Sequence, residues 1–170
     1  MPPDPAPEAP DPNLDLGHDL GPDLGDDPLA LDRQVCFALA VASRTVIGLY
    51  RPLLEPMNLT HPQYLVMLAL WERSPRSVKD LGESLLLDSA TLSPLLKRLE
   101  AIGYLTRRRS SSDERQLVVE LTGTGRDLRS EAEKIPYAVV EKLGLPVEAL
   151  LDLHRSLTTV TAAAVRAAGA

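Results

Sequence analysis

Residues 77–121 read SVKDLGESLLLDSATLSPLLKRLEAIGYLTRRRSSSDERQLVVEL, and this stretch decides the fold. Ser77-Val-Lys-Asp80 has the form of a capping box, a serine with an acid three residues on, and predicts a short helix, SVKDLGESLLL. Leu86-Leu87-Asp88 is a turn. Asp88 or Ser89 then caps a second helix, with Leu92, Leu95, Leu96 and Leu99 on one face and Gly103 as its stop. Pro94 falls inside that helix and should bend it slightly. Two short helices joined by a three-residue turn make a helix-turn-helix, though other helical bundles share the pattern. Tyr104 to Arg109 then reads as a strand, SSSDE as a polar turn, and Gln116 to Leu121 as a second strand with Leu117, Val119 and Leu121 on one face. A hairpin directly after the second helix gives a winged helix-turn-helix. Arg107, Arg108, Arg109 and Arg115 stand at or near its tip, and Lys97 to Arg115 holds six basic and three acidic residues. A charge run is ordinarily a solvated face. Beside an element shaped to enter a groove, phosphate contact is the better reading.

Upstream, Gln34 to Tyr50, QVCFALAVASRTVIGLY, is too apolar to lie on a surface. A helix of this kind is covered on more than one face, which points to a second subunit. It is expected to start between Asp27 and Asp32 and to run to about Leu54, loosened at Pro52. A turn over Pro56 to Thr60 leads into HPQYLVMLALWERS, where Tyr64, Met67, Leu68 and Trp71 form one apolar stripe. Downstream, Thr122 caps a helix reaching about Lys134, Pro136 breaks it, and Tyr137 to Leu143 resumes. A last helix begins near Pro146. Its Val147, Leu150, His154, Leu157, Thr161 and Ala164 recur at spacings of three and four, a coiled-coil-like seam suited to a partner helix.

The expected fold is mainly α with a small β-hairpin wing. The winged helix-turn-helix covers about 61–121, dimerisation helices cover about 29–54 and 122–168, and the whole 29–170 domain follows a tail of residues 1–28. That tail carries eight of the 15 prolines, and residues 1–32 hold nine acidic residues with no Lys or Arg. Low hydrophobicity and charge repulsion predict disorder there. The net charge of −6 therefore misleads: the rest of the chain has 18 basic and 15 acidic residues. A single cysteine excludes an intramolecular disulfide framework and a Cys-rich zinc site. His18, His61 and His154 lack ligand spacing, so no metal or other cofactor is expected. No basic region precedes an apolar run, and no 18 residues are continuously apolar, so the expectation is a cytoplasmic protein with no signal peptide and no membrane span.

Asp113-Glu-Arg115 followed by Leu121-Thr122-Gly-Thr-Gly125-Arg126 resembles the wing motif of the MarR family of winged-helix repressors. The resemblance implies a mostly helical homodimer whose terminal helices form the interface. Its two recognition helices lie in successive major grooves of palindromic double-stranded operator DNA. Gln34-Val-Cys36-Phe-Ala-Leu, Tyr50-Arg-Pro-Leu-Leu54, Leu59-Thr-His-Pro-Gln-Tyr64 and Leu87-Asp-Ser-Ala-Thr-Leu-Ser-Pro-Leu-Leu96 are similar to its organic hydroperoxide resistance regulators, of the one-cysteine type. That subgroup implies Cys36 as the peroxide sensor, with Tyr50 beside it. His61 stands where relatives often have tyrosine, and Ala40 where they sometimes do. A histidine still donates a hydrogen bond, and if protonated favours a thiolate further; an alanine side chain donates nothing.

From the residues alone, a lone cysteine on an apolar helix is more often inert core than reagent. Its place near the helix start, where partial positive charge favours thiolate, argues the other way. With the resemblance, the reading is a repressor and not an enzyme. An organic hydroperoxide oxidises Cys36, a small thiol then reacts with the product or over-oxidation follows, and DNA is released. On DNA, Ser89, Thr91 and Ser93 are expected at base edges or phosphates, Lys97 and Arg98 nearer the backbone, and Arg107 and Arg108 along the wing. Arg115 is expected in the minor groove, oriented by Asp113. Three rivals stand: a repressor released by a small aromatic ligand with Cys36 structural; a thiol peroxidase, which lacks any adjacent acid–base group or resolving thiol in the sequence; and a helical interaction protein without DNA contact.

Overall fold

The computed structural model describes Asp27, residues 29–109 and residues 116–169. The expected tail, Asp27 aside, lies outside these residues, and so do Asp113 and Arg115. The chain divides into two units, Met1–Ala42 and Ser43–Ala170.

The first unit opens with a 3-10 turn, Leu31–Arg33, and contains the start of α1 (Val35–Leu54). The long helix thus begins at Val35, later than the expected Asp27 to Asp32. Asp27 receives the Leu29 N–H instead, at 2.9 Å, and shapes a turn rather than the helix itself. Val35, Phe37 and Leu39 are all exposed. With the turn that follows it, α1 is long and apolar enough to cross a membrane by length and composition, although no such span was expected from the sequence. Arg44 sits near its middle, where a cation in hydrocarbon costs about 2.5–3.5 kcal/mol.

The second unit holds α2 (His61–Glu72), β1 (Arg76–Ser77), α3 (Val78–Leu85), α4 (Ser89–Ala101), β2 (Leu105–Arg109), β3 (Leu117–Leu121), α5 (Gly123–Asp127), α6 (Arg129–Ala132), α7 (Ile135–Leu143) and α8 (Val147–Ala168). The helix-turn-helix forms as its caps dictate. Ser77 Oγ accepts the Asp80 N–H at 3.0 Å, and Asp88 Oδ1 accepts the Thr91 N–H at 2.7 Å. Between them Leu86 takes a left-handed conformation. The leucine spacing of α4 puts Leu92, Leu96 and Leu99 into a core shared with Leu54, Met67, Leu70, Leu81, Leu105 and Val119. Tyr64 and Met67 of the α2 stripe are buried as expected, but Leu68 is exposed.

Three features differ from the expected layout. The sheet has three strands, in the order β1-β3-β2, because Arg76 and Ser77 pair antiparallel with Val119 and Val118. A two-residue strand has no alternation to read, and its partner lies some forty residues on. The expected helix from Thr122 to Lys134 is divided into α5 and α6, and α7 begins at Ile135 with Pro136 tolerated in its first turn. Along α8 no residue is buried, and Leu151, Leu153, Leu157, Val160 and Val165 are exposed. These residues make its bare apolar surface broader than the seam read from the sequence.

The LTGTGR segment ties the wing to α2. Thr122 Oγ1 accepts the Gly125 N–H at 3.0 Å and donates to the Gly103 carbonyl at 2.6 Å. Arg126 donates to the Leu121 carbonyl at 2.6 Å, and Trp71 Nε1 donates to the Gly125 carbonyl at 2.8 Å.

Candidate nucleic-acid interface

The face of α4 opposite its leucines carries Ala90, Pro94 and Lys97, with Thr91 and Arg98 on one flank; all five are exposed. Ser89 is exposed at the N-terminus, whereas Ser93 is half-buried on the other flank. Of the three hydroxyls expected to reach bases, the structure therefore presents Ser89 and Thr91 more openly than Ser93. The hydrogen bond from the Thr91 N–H holds the Asp88 carboxyl below the usual range, so the cap stays ionised.

The wing arginines are less free than the sequence suggests. Arg107 is clasped by Glu100: Nε donates to Oε2 at 2.9 Å, Nη2 to Oε2 at 2.5 Å, and the Arg107 N–H to Oε1 at 3.0 Å. This pair pins the wing to α4 and depresses the Glu100 carboxyl, chiefly through the Arg107 side-chain hydrogen bond. Arg108 donates to Glu120 at 3.3 Å and stays half-open to solvent. A charge count along the sequence could not reveal that Arg107 is held within the fold. Arg76 was not anticipated at all. It is a buried guanidinium that donates to Asp80 at 2.5 Å, to the Ala69 carbonyl at 3.1 Å and to the Ser84 hydroxyl. With Arg73 on the same carboxylate, it joins α2, β1 and α3.

Cys36, in the first unit, is a free and exposed thiol at the second residue of α1. In the second unit, Tyr50 and His61 meet edge to face at 5.0 Å between ring centroids. Tyr50 also lies 6.1 Å from Tyr64, which lies 6.3 Å from Trp71. His61 stands just after the Thr60 cap, whose N–H donates to Gln63 Oε1 at 2.8 Å. Burial pushes the His61 imidazole below the usual histidine range, which favours its neutral form over the protonated one weighed from the sequence. Burial, with Tyr50 beside it, pushes the Tyr64 phenol up. Tyr64 belongs to the LTHPQY segment; its apolar spacing marked it for the core, and the ring stack shows that it also supports Tyr50.

A cleft of about 600 Å³ opens beside this stack, lined by Tyr64, Leu68, Trp71, Arg129, Glu133 and Tyr137 among others. Among the described residues no group of three or more His, Cys, Asp or Glu is placed to hold a metal ion.

Residues 48–132 match the model of the transcriptional regulator SarA/Rot family. The chain is 48% identical over 130 residues to the HTH-type transcriptional regulator TtmR of Methylorubrum extorquens, covering 75% of this chain and 67% of that relative. It is 45% identical over 129 residues to the organic hydroperoxide resistance transcriptional regulator of Bacillus subtilis, covering 76% and 86%. Among solved structures it is similar to overoxidised AbfR bound to DNA, at 36% identity and a TM-score of 0.63, with 77% of this chain and 93% of that one covered.

Proposed function

This chain belongs to the SarA/Rot- and MarR-type family of winged-helix transcriptional regulators, and on that premise we propose that it is a cytoplasmic homodimeric repressor that releases operator DNA when an organic hydroperoxide oxidises Cys36. The observation that carries the redox half is the open thiol of Cys36, set among exposed apolar side chains in the first turn of a helix. An alkyl hydroperoxide suits such surroundings. The sulfur attacks the peroxide, the O–O bond breaks, the alcohol leaves, and the sulfenic acid remains. A small thiol then condenses with it: an S–S bond forms and water leaves.

AbfR carries DNA in an overoxidised form, so in that protein added oxygen atoms are compatible with binding. In a one-cysteine chain the mixed disulfide, the bulkier product, is accordingly the releasing species. In the proposed dimer Tyr50, steadied by His61 and Tyr64, serves the Cys36 thiol. The uncovered apolar faces of α1 and α8 supply the contact surface. Ser89, Thr91, Lys97 and Arg98 meet DNA from α4, with Ser93 at its flank. Arg108 follows along the wing, Arg107 holds the wing in place, and Asp113 and Arg115, outside the described residues, are assigned to DNA from the sequence alone.

The test is a gel shift on the gene's own upstream DNA, with wild type and Cys36→Ser, each with and without an organic hydroperoxide plus a small thiol. Wild type should lose DNA on treatment and Cys36→Ser should keep it. Release of Cys36→Ser by the peroxide would sink the thiol mechanism. One observation favours a second reading, release by a small aromatic acid: the cleft lined by Tyr64, Trp71 and Tyr137 offers rings, and Arg129 a cation. Benzoate or a related acid releasing DNA from Cys36→Ser would select it.

A further inference from the structure

On the flank of α4 away from the wing, a cleft of about 490 Å³ lies between the end of α1, the turn before α2, and α4 itself. Two guanidinium groups line it from separate elements, Arg51 from α1 and Arg98 from α4. Both residues are exposed, and neither side chain has a hydrogen-bond or ion-pair partner among the described residues. Arg73, Arg76, Arg107, Arg108 and Arg129, by contrast, are each bound to a carboxylate. Asn58, exposed and held left-handed at φ 51°, adds a side-chain amide, and Glu55 brings an opposing carboxylate. The cleft thus has two cations against one anion, with a carboxamide donor beside them.

The position of this cleft tells what it meets. The Glu100–Arg107 clasp puts the wing on one flank of α4, and Arg98 lies on the other. A helix about 10–12 Å across fills a major groove about 12 Å wide, so both flanks face a phosphate wall. We infer that Arg51, with Arg98 and Asn58, grips a DNA phosphodiester on the groove wall away from the wing. This rests on the DNA-binding reading above and adds an anchor from the first long helix, outside the helix-turn-helix and the wing. The same helix carries the sensor thiol, so a shift of α1 would act on a DNA contact without passing through α4.

The experiment measures affinity against salt for wild type and Arg51→Gln, on a duplex of the gene's own upstream DNA and on a scrambled duplex. Each lost phosphate contact makes the log–log slope shallower by about 0.9, and a dimer loses two. Arg51→Gln should therefore flatten the slope by about two and weaken both duplexes alike, leaving their ratio unchanged. Arg51→Lys, which restores the charge, should recover most of the slope. If Arg51→Gln fails to fold, Arg98→Gln reads the same cleft from α4 and should flatten the slope likewise. Wild-type binding with an unchanged slope in Arg51→Gln overturns the inference alone. So does a variant that loses binding of inorganic phosphate but keeps the slope, since the cleft would then serve a free anion. Wild type binding neither duplex overturns the DNA reading and the inference together.

Discussion

Gly125→Ala is expected to cost more than any ordinary glycine-to-alanine change, and the structure sets the size of the loss. A Cβ at this position would lie 1.9 Å from the Tyr104 carbonyl oxygen and 2.9 Å from its carbon. A carbon–oxygen contact sits at about 3.3 Å, so α5 and the root of β2 must part by about 1.4 Å. Neither side yields freely. The Tyr104 carbonyl accepts the Thr122 N–H at 3.1 Å, the Tyr104 hydroxyl donates to the Met57 carbonyl at 2.9 Å, and the Gly125 carbonyl accepts Trp71 Nε1 at 2.8 Å. Overpacking of this kind costs about 1–3 kcal/mol, and each hydrogen bond broken adds about 1 kcal/mol. With two of the three bonds broken the total is about 3–5 kcal/mol, a large part of the 5–15 kcal/mol that holds a typical domain together. Urea unfolding of both proteins at one protein concentration measures it, because in the proposed dimer stability depends on concentration. A loss under about 1 kcal/mol with an unchanged m-value would refute the reasoning: α5 would then slide aside without cost, and close approach would not explain the glycine.

Leu157→Glu is expected to split the proposed dimer. Leu157 is exposed on a helix with no buried residue, and burying a leucine contributes about 1.5–3 kcal/mol, so two copies change Kd by about 10²–10⁴-fold. Sedimentation velocity reads this directly, and a variant of wild-type size would show that α8 is not the interface. Acid should loosen the wing. Glu100 is depressed by Arg107, so its contribution is complete above the ordinary glutamate range and is lost as pH falls through the depressed value. Urea midpoints between pH 3.5 and 7 should fall toward acid in wild type and more gently in Glu100→Gln; parallel curves would remove this pair from the acid response.

The candidate site was legible where its signals are local in the chain. Cys36, Tyr50 and His61 were marked by short segments around them, and the structure brings Tyr50 and His61 into contact. Spacing along α4 showed which residues face away from the leucines, apart from the half-buried Ser93. What no segment showed was pairing. Nothing near Arg107 in sequence says that Glu100 will clasp it, and nothing near Arg51 says that Arg98 will share its cleft.

By itself the sequence determined the caps at Ser77, Asp88 and Thr122, the leucine face of α4, the two wing strands and the apolar excess of α1. Each depends on neighbours a few residues away, through a side chain reaching a nearby N–H or through helical and strand periodicity. Only the tertiary structure decided that Arg76 and Ser77 form a third strand, that Trp71 holds Gly125, that the 122–134 segment divides, and that burial pushes the His61 imidazole below the usual histidine range. Those outcomes depend on which distant residues exclude water from one another, and solvent exclusion is set by the assembled core rather than by any local pattern.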